Sequence, residues 1–204
     1  MCRDSAETIK ALVIDWLIAS QNDIIIGNEV MYGTKRKVVD LLAITNNKTI
    51  AIEIKSASDN LNRLLEQVQE YNKIFDKVLI VSSPSHKQGI KSIIGKGVGL
   101  YIIDKKMTKV LTPLINHKQD KLEMLYSVSS IYLKKQYPQY KSLNSDEIRQ
   151  QLMKEKKSVV HQLLLSFYQE RISERFHFFI NERGQHTLID DIPTLSSLNR
   201  IELF

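Results

Sequence analysis

Three charged side chains interrupt otherwise apolar segments and could together bind a metal ion. Asp40 lies within the β-branched and aliphatic run at 38–45, and Glu53 and Lys55 lie within a similar run at 49–56. Hard divalent cations prefer oxygen ligands, and two neighbouring carboxylates supply them. The three residues therefore predict a divalent-cation site. The alternative is an ion cluster in which Lys55 alone neutralises both acids.

The spacing of these residues makes the predicted cluster more specific. Asn46 and Asn47 form a turn signal, because Asn tolerates the left-handed backbone that a tight hairpin requires. A hairpin centred on this turn places Asp40 directly opposite Glu53 and puts Lys55 on the same face as Glu53. Directly opposed Cβ atoms lie about 5 Å apart, so two like charges there need a compensating partner.

An alternation of strands and helices must position this hairpin. The opening segment predicts a helix, capped by Asp4 or Ser5. Its apolar residues recur at helical spacing: Ile9, Leu12, Val13, Trp16 and Leu17. A second helix, capped by Ser58 or Asp59, would carry the apolar stripe from Leu61 to Phe75. Strands are predicted at 24–31, 38–45, 49–56, 78–81 and 98–103, and a short helix at 88–94. Apolar strands separated by helices favour an α/β sheet covered on both faces.

The second part of the chain shows only helical patterns. From about Gln119 one helix is predicted through Leu133, and Pro138 would stop it. Asn144 and Glu147 resemble a capping box ahead of a long helical pattern, which the charged segment 154–157 divides. We therefore expect an α/β unit at residues 1–115 followed by an all-α C-terminal extension at 116–204.

Composition and charge exclude several classes of protein. Of 204 residues, 43% are hydrophobic and 25% are charged, which excludes a largely disordered chain and a collagen-like one. No stretch approaches a membrane span, and the N-terminus lacks a signal pattern, so we expect a cytoplasmic protein without a membrane partner. The single cysteine, Cys2, excludes an internal disulfide. The net charge of +6 is compatible with a polyanionic partner but does not require one.

The chain resembles the PD-(D/E)XK nuclease superfamily, which includes restriction endonucleases and archaeal Holliday-junction resolvases. The resemblance runs from about Glu7 to Asp104, half the chain, and is strongest for small bacterial members in which a helical tail follows the core. The residues that carry it are Val39-Asp40, Glu53-Ile54-Lys55, and Gln67 and Tyr71 on the second long helix. Val39 stands where the family has proline. The resemblance implies a restriction-endonuclease-like mixed β-sheet flanked by helices and a deoxyribonuclease, expected to be an endonuclease.

The resemblance also implies a role for each residue of the motif. Asp40, Glu53 and the Ile54 carbonyl would bind Mg²⁺ or Mn²⁺, and Lys55 would assist the attacking water and the scissile phosphate. The metal would lower the pKa of that water. Gln67 and Tyr71 match a pattern of the exonuclease-type branch, where it lies near the metal and the DNA strand. A solvated Gln beside a core-edge Tyr is the alternative for this pair.

Two further acids are candidate metal ligands. Glu7 lies in the first turn of the opening helix, where resolvase-like relatives carry a metal-directed glutamate. A favourable interaction with the helix dipole would equally explain Glu7. Glu29 would face Asp40 if the first hairpin is centred between Thr34 and Lys35.

A basic turn is the candidate nucleic-acid contact. Lys35, Arg36 and Lys37 would lie at the tip of the first hairpin, near the end of the Asp40 strand, where they could position a phosphate backbone. An ordinary charged turn is the alternative. The five histidines show no zinc-site spacing and receive no assignment.

Competing functions share these residues. The chain could be a catalytically inactive nuclease-fold module that binds nucleic acid or another partner, or it could cleave RNA rather than DNA. Because a small nuclease core cuts one strand per site, double-strand cleavage would favour a homodimer. The apolar C-terminal extension could supply that dimer interface.

Overall fold

The computed structural model describes residues 5–196, and a mixed six-stranded sheet lies at its centre. The strands follow the same order in space as in the chain: β1 (Ile25–Tyr32), β2 (Lys37–Thr45), β3 (Lys48–Lys55), β4 (Lys77–Ser82), β5 (Gly99–Ile103) and β6 (Met107–Leu111). β1 to β3 are antiparallel, β3 to β5 are parallel, and β6 is antiparallel to β5.

Helices cover both faces of this sheet. They are α1 (Ala6–Ser20), α2 (Leu64–Asn72), α3 (Lys87–Ile93), α4 (Lys121–Ser127), α5 (Ser130–Gln136), α6 (Ser145–Leu152) and α7 (Lys157–Glu182). One apolar layer joins α1 and the end of α7 to the sheet, and the other layer holds α2 to α6 with most of α7. The α/β class, the mixed sheet and the helical C-terminal part are as the sequence predicted. No helix within residues 5–196 has the length and apolarity that a bilayer crossing requires.

The β2–β3 hairpin has the predicted geometry. Asn46 and Asn47 both have positive φ angles, 49° and 55°, which fits a tight two-residue turn. The ladder runs from Thr45–Lys48 to Leu41–Ile52. Asp40 and Glu53 are therefore the next opposed positions, one step beyond the last ladder pair.

The C-terminal helices share the core of the sheet. Tyr168 of α7 stacks on Phe75, with ring centroids 6.2 Å apart, and both side chains are fully buried. His161 of α7 contacts Asp76 beside the start of β4, with Nε2 2.9 Å from Oδ1. The helical extension therefore packs on the sheet of its own chain.

Three local predictions were wrong. Two helices replace the single one predicted through Leu133, because Val128 is extended and Ser129 caps α5 by accepting from the Tyr132 N–H. Asp59 does not cap α2; it accepts from the N–H and the hydroxyl of Ser56, at 2.7 Å each, and so closes a turn directly after β3. The edge strand β6 was missed, since its exposed lysine suggested only a solvated surface.

Candidate functional site

Glu53 is the buried centre of a polar cluster on the face of the sheet that α2 covers. Its side chain is 3% exposed. Lys55 Nζ lies 2.8 Å and Gln67 Nε2 lies 2.5 Å from Glu53 Oε1, and the Tyr71 hydroxyl donates to Glu53 Oε2. Gln67 and Tyr71 reach the same carboxylate because they are four residues apart on α2 and so share one side of the helix. The structure thus brings the two predicted helix residues into direct contact with the predicted metal ligand.

Asp40 joins this cluster from β2. Its Oδ2 accepts a 2.8 Å hydrogen bond from the Ile54 N–H. Burial is the main reason why its pKa rises to about 7, and repulsion by the Glu53 carboxylate is the second. The Ile54 N–H, Lys10 and Lys55 act in the opposite direction. The two carboxylates therefore interact, as the hairpin geometry predicted.

Lys10 is a component of the site that the sequence analysis missed. It lies on α1, is only 4% exposed, and its Nζ is 3.1 Å from Glu7 Oε1. Lys10 and Lys55 both lower the pKa of Asp40, so Lys55 is not the single lysine that offsets the two acids. A signal was available, because Lys10 falls at helical spacing with the apolar Val13 and Leu17 and so had to face the sheet.

Among residues 5–196, neither additional candidate ligand joins Asp40 and Glu53 in a group of three acids that could hold a metal. Glu7 is exposed, and its carboxylate is paired with Lys10. Glu29 is exposed and has a φ of 51°, although the pairs on either side of it have the predicted register. β1 continues through Glu29, but Glu29 and Asp40 do not form the expected pair in the β1–β2 ladder.

The Asp40–Glu53 pair fits a hard divalent cation by the chemistry of its donors. Burial and then repulsion between the two carboxylates raise the pKa of Asp40, and a cation between the carboxylates would remove that repulsion. No third side chain completes the site, since residues 5–196 contain no group of three or more His, Cys, Asp or Glu side chains that could hold a metal. A main-chain oxygen, such as that of Ile54, would have to complete the coordination. Binding would also replace contacts that Glu53 now makes with Lys55 and Gln67.

The basic turn lies against α2, beside Gln67. Lys37 Nζ is 2.5 Å from Glu66 Oε1, and Lys35 Nζ is 3.8 Å from Glu70 Oε1. These acids offset part of the positive charge of the turn. Arg36, between the two lysines, has a φ of 49° and faces a groove on the other side of the turn.

A second buried polar cluster surrounds Asp76. Asp76 accepts from the Thr49 N–H at 2.9 Å, from the Thr49 hydroxyl at 3.0 Å and from Gln119 Nε2 at 3.3 Å, besides its contact with His161. Burial acts to raise its pKa, but the hydrogen bonds from His161 and Thr49 outweigh burial and hold it below its usual value. This arrangement ties α7 to the sheet, so His161, left unassigned from the sequence, has a structural contact.

Comparisons with known proteins identify relatives of this chain. Protein cII of Enterobacteria phage P4 is 26% identical over 208 residues, which cover 95% of this chain and 78% of that protein. A solved structure of a protein of unknown function from Silicibacter pomeroyi is 14% identical, with a TM-score of 0.41, over 57% of this chain and 79% of that one. The family described as Bacteriophage P4 protein cII matches residues 3–196. The chain therefore belongs to the bacteriophage P4 protein cII family.

Proposed function

We propose that this protein is a metal-dependent nuclease that hydrolyses DNA phosphodiester bonds. The observation that carries the proposal is the cluster of Asp40, Glu53 and Lys55, two interacting carboxylates with a lysine bonded to one of them. The resemblance to PD-(D/E)XK nucleases supports the same assignment. The proposal also places the protein in the cytoplasm, with DNA as its partner.

The geometry supports a division of roles among the residues of the cluster. Asp40 and Glu53 would hold Mg²⁺ or Mn²⁺, which supplies a water of lowered pKa and positive charge near the phosphate. Lys55 would stabilise the charge that develops on the scissile phosphate and orient the water. Gln67 contacts both Lys55 and Glu53 and would hold the lysine in position.

A cleavage panel tests the proposal. Supercoiled plasmid, linear duplex, circular and linear single-stranded DNA, and RNA are each incubated with Mg²⁺, with Mn²⁺ or with EDTA. We expect metal-dependent cleavage of DNA, and cleavage of the circular substrates identifies an endonuclease. Glu53→Gln should abolish cleavage, whereas Glu174→Gln, the same change at an exposed site on α7, should not. Cleavage by neither the parent nor the control variant, with any metal, would refute the proposal.

A module that binds nucleic acid without cleaving it is the second candidate. The observation that favours it is that the Glu53 carboxylate already accepts hydrogen bonds from three protein donors, which would stabilise it without a metal. These donors are Lys55, Gln67 and Tyr71. Binding of DNA without cleavage in every arm of the panel would support this module.

The proposal also includes a homodimer for double-strand cleavage. The end of α7 exposes the apolar Phe178 and Ile180, which could contribute to such an interface. Light scattering coupled to gel filtration measures the oligomeric state directly. A full-length monomer at micromolar concentration would rule out the dimer.

A further inference from the structure

An arginine-lined groove lies on the far side of the basic turn from α2. It has a volume of about 600 Å³ and lies between the β1–β2 turn and helices α4 to α7. Arg36, Arg149 and Arg171 line it, and none of its described lining residues is an Asp or Glu. A concave surface with three guanidinium groups and no carboxylate suits an anionic ligand.

Arg149 gives this groove a buried positive charge that main-chain carbonyls hold in place. Arg149 is 8% exposed, and its three guanidinium nitrogens donate to the main-chain carbonyls of Leu125, Val128 and Ser145 at 2.7–3.2 Å. It also lies 4.5 Å from the ring centroid of Tyr126. The Asp146 carboxylate interacts electrostatically with Arg149, but no salt bridge joins Arg149 to a carboxylate of the described residues, so a bound anion would add compensation for this buried cation.

Glu123 on α4 and Asp146 on α6 accept hydrogen bonds from residues that line the groove. Both carboxylate oxygens of Glu123 accept hydrogen bonds from Thr34. The Thr34 main-chain N–H donates to Oε2 at 2.9 Å, and the Thr34 hydroxyl lies 3.0–3.1 Å from both oxygens. Asp146 accepts a 2.9 Å hydrogen bond from the Tyr126 hydroxyl. Ser129, Ser130 and Ser145 add further hydroxyl-bearing residues to the lining. Guanidinium and hydroxyl groups together are typical donors to a phosphate.

A single layer of aromatic side chains connects the groove to the carboxylate cluster. Tyr32 lines the groove, and its ring centroid is 5.3 Å from that of Tyr71, which donates to Glu53. Lys37, which follows Arg36 and begins β2, precedes Asp40 by three residues, which corresponds to about 10 Å of strand. A strand of nucleic acid bound at Asp40 and Glu53 could therefore pass over the basic turn and reach the groove.

We propose that the groove formed by Arg36, Arg149 and Arg171 binds a backbone phosphate of the nucleic-acid strand that is cleaved at Asp40 and Glu53, which rests on the nuclease function proposed above. The groove holds the strand a few nucleotides from the reacting phosphate. It supplies affinity without base selectivity, because phosphate contacts carry no sequence information.

The test measures binding separately from cleavage. A fluorescein-labelled single-stranded DNA is titrated by anisotropy with Glu53→Gln protein in EDTA, alone and carrying Arg36→Glu or Arg171→Glu. Arg149 is left intact because it holds three carbonyls. Lys109→Glu, the same charge reversal on the opposite edge strand β6, is the control. Circular dichroism confirms folding, and the two groove variants lie on different elements, so a folding defect in one leaves the other to report.

We expect each groove variant to weaken binding by tenfold or more and to lower the salt dependence of the affinity, while Lys109→Glu stays within twofold of the parent. Groove variants that bind as tightly as the Lys109→Glu control would overturn the proposal. Absence of DNA binding by the Glu53→Gln protein without a groove substitution would overturn it as well. Retention of inorganic phosphate in the groove without binding of DNA would assign it to a small anion and also contradict a strand-binding role.

Failure of the groove and failure of the nuclease function give different results. In the first case, the protein with its natural sequence cleaves DNA. If Arg36→Glu and Arg171→Glu, each with Glu53 intact, then bind and cleave DNA equally well, only the groove assignment fails. If the parent cleaves nothing but the groove variants lose DNA binding, the nuclease function fails, and the groove remains a phosphate-binding site of a binding module.

Discussion

The main-chain N–H of Ile54 donates a 2.8 Å hydrogen bond to Oδ2 of Asp40. This bond connects β2 and β3 beyond their last ladder pair, Leu41–Ile52, and its acceptor is a side chain rather than a main-chain carbonyl. One oxygen of Asp40 therefore has a structural partner, and the bond fixes the orientation of the carboxylate. The effect of replacing Asp40 should depend on whether the new side chain keeps an acceptor.

Asp40→Asn and Asp40→Ala should differ in stability without metal. Asn retains a carbonyl oxygen for the Ile54 N–H and removes the repulsion with Glu53, so we expect equal or higher stability, by a few tenths to about 1 kcal/mol. Ala leaves the N–H without its acceptor and should lower stability by about 1–2 kcal/mol. Urea unfolding in EDTA measures both. A marked loss of stability in Asp40→Asn would instead identify the carboxylate as part of a stabilising ion cluster.

The stability of the metal-free protein should depend on pH through Asp40. Burial and then Glu53 raise the pKa of this carboxyl from 3.8 to about 7, so the folded state binds more protons than the unfolded state between these values. The contribution of Asp40 to the free energy of unfolding is therefore present below about pH 4 and is lost as pH rises towards 7. Urea unfolding of the parent and of Asp40→Asn in metal-free buffers should show the variant gaining relative to the parent across this window. A constant difference would contradict the raised pKa.

Much of the arrangement around Asp40 could be predicted because its determinants are local. The Asn46-Asn47 turn fixes the register of the hairpin, and register alone determines which residues lie opposite each other. The spacing of Gln67 and Tyr71 similarly determines that both project from one side of α2. These relations need no knowledge of long-range packing.

Other components depend on contacts between distant segments. Lys10 is brought to Asp40 by the packing of α1 on the sheet, and Arg149 is buried by carbonyls of α4 and the residue that follows it. Glu29 shows a different limit, since the register on either side of it was correct, yet Glu29 has a positive φ, is exposed and does not pair with Asp40. Helical periodicity indicates that Lys10 faces the sheet, but neither periodicity nor the hairpin register identifies the residue that it meets there, because tertiary contacts depend on the whole fold.

Asp76→Asn should destabilise the protein by about 1–3 kcal/mol, since Asp76 accepts hydrogen bonds from several donors in a buried site. Asn offers one oxygen, and its NH₂ group would face the N–H and hydroxyl donors of Thr49 or the ring of His161. Urea unfolding at pH 7 measures the loss. Asp104→Asn removes the same charge from an exposed carboxylate and should change stability by no more than about 0.5 kcal/mol. Equal effects of the two substitutions would show that Asp76 does not stabilise the attachment of α7.

Lys55→Ala should have the opposite effect to Asp40→Asn when no metal is present. Lys55 donates to Glu53 at 2.8 Å and to Gln67 at 3.2 Å, and its side chain is 12% exposed, so its removal leaves the buried Glu53 with less compensation. We expect a loss of about 1–2 kcal/mol in EDTA. The matched control is Lys109→Ala on the exposed edge strand, which should be near neutral. A stable Lys55→Ala protein would indicate that Lys10 is sufficient to balance both acids.

Added Mn²⁺ should raise the melting temperature of the parent, because a ligand that binds only the folded state stabilises it by mass action. At a concentration 100 times the dissociation constant, the gain is about 2.7 kcal/mol. Asp40→Asn should lose most of this gain, since it removes one of the two carboxylates while keeping the Ile54 hydrogen bond. Glu174→Gln, which changes an acid remote from the cluster on α7, should retain the gain. Thermal melts of the three proteins with EDTA and with Mn²⁺ make the comparison.

Because the readout is stability rather than cleavage, equal shifts in all three proteins would place the metal elsewhere. No shift in the parent would leave Asp40, Glu53 and Lys55 as a structural ion cluster and remove the metal on which the proposed hydrolysis depends.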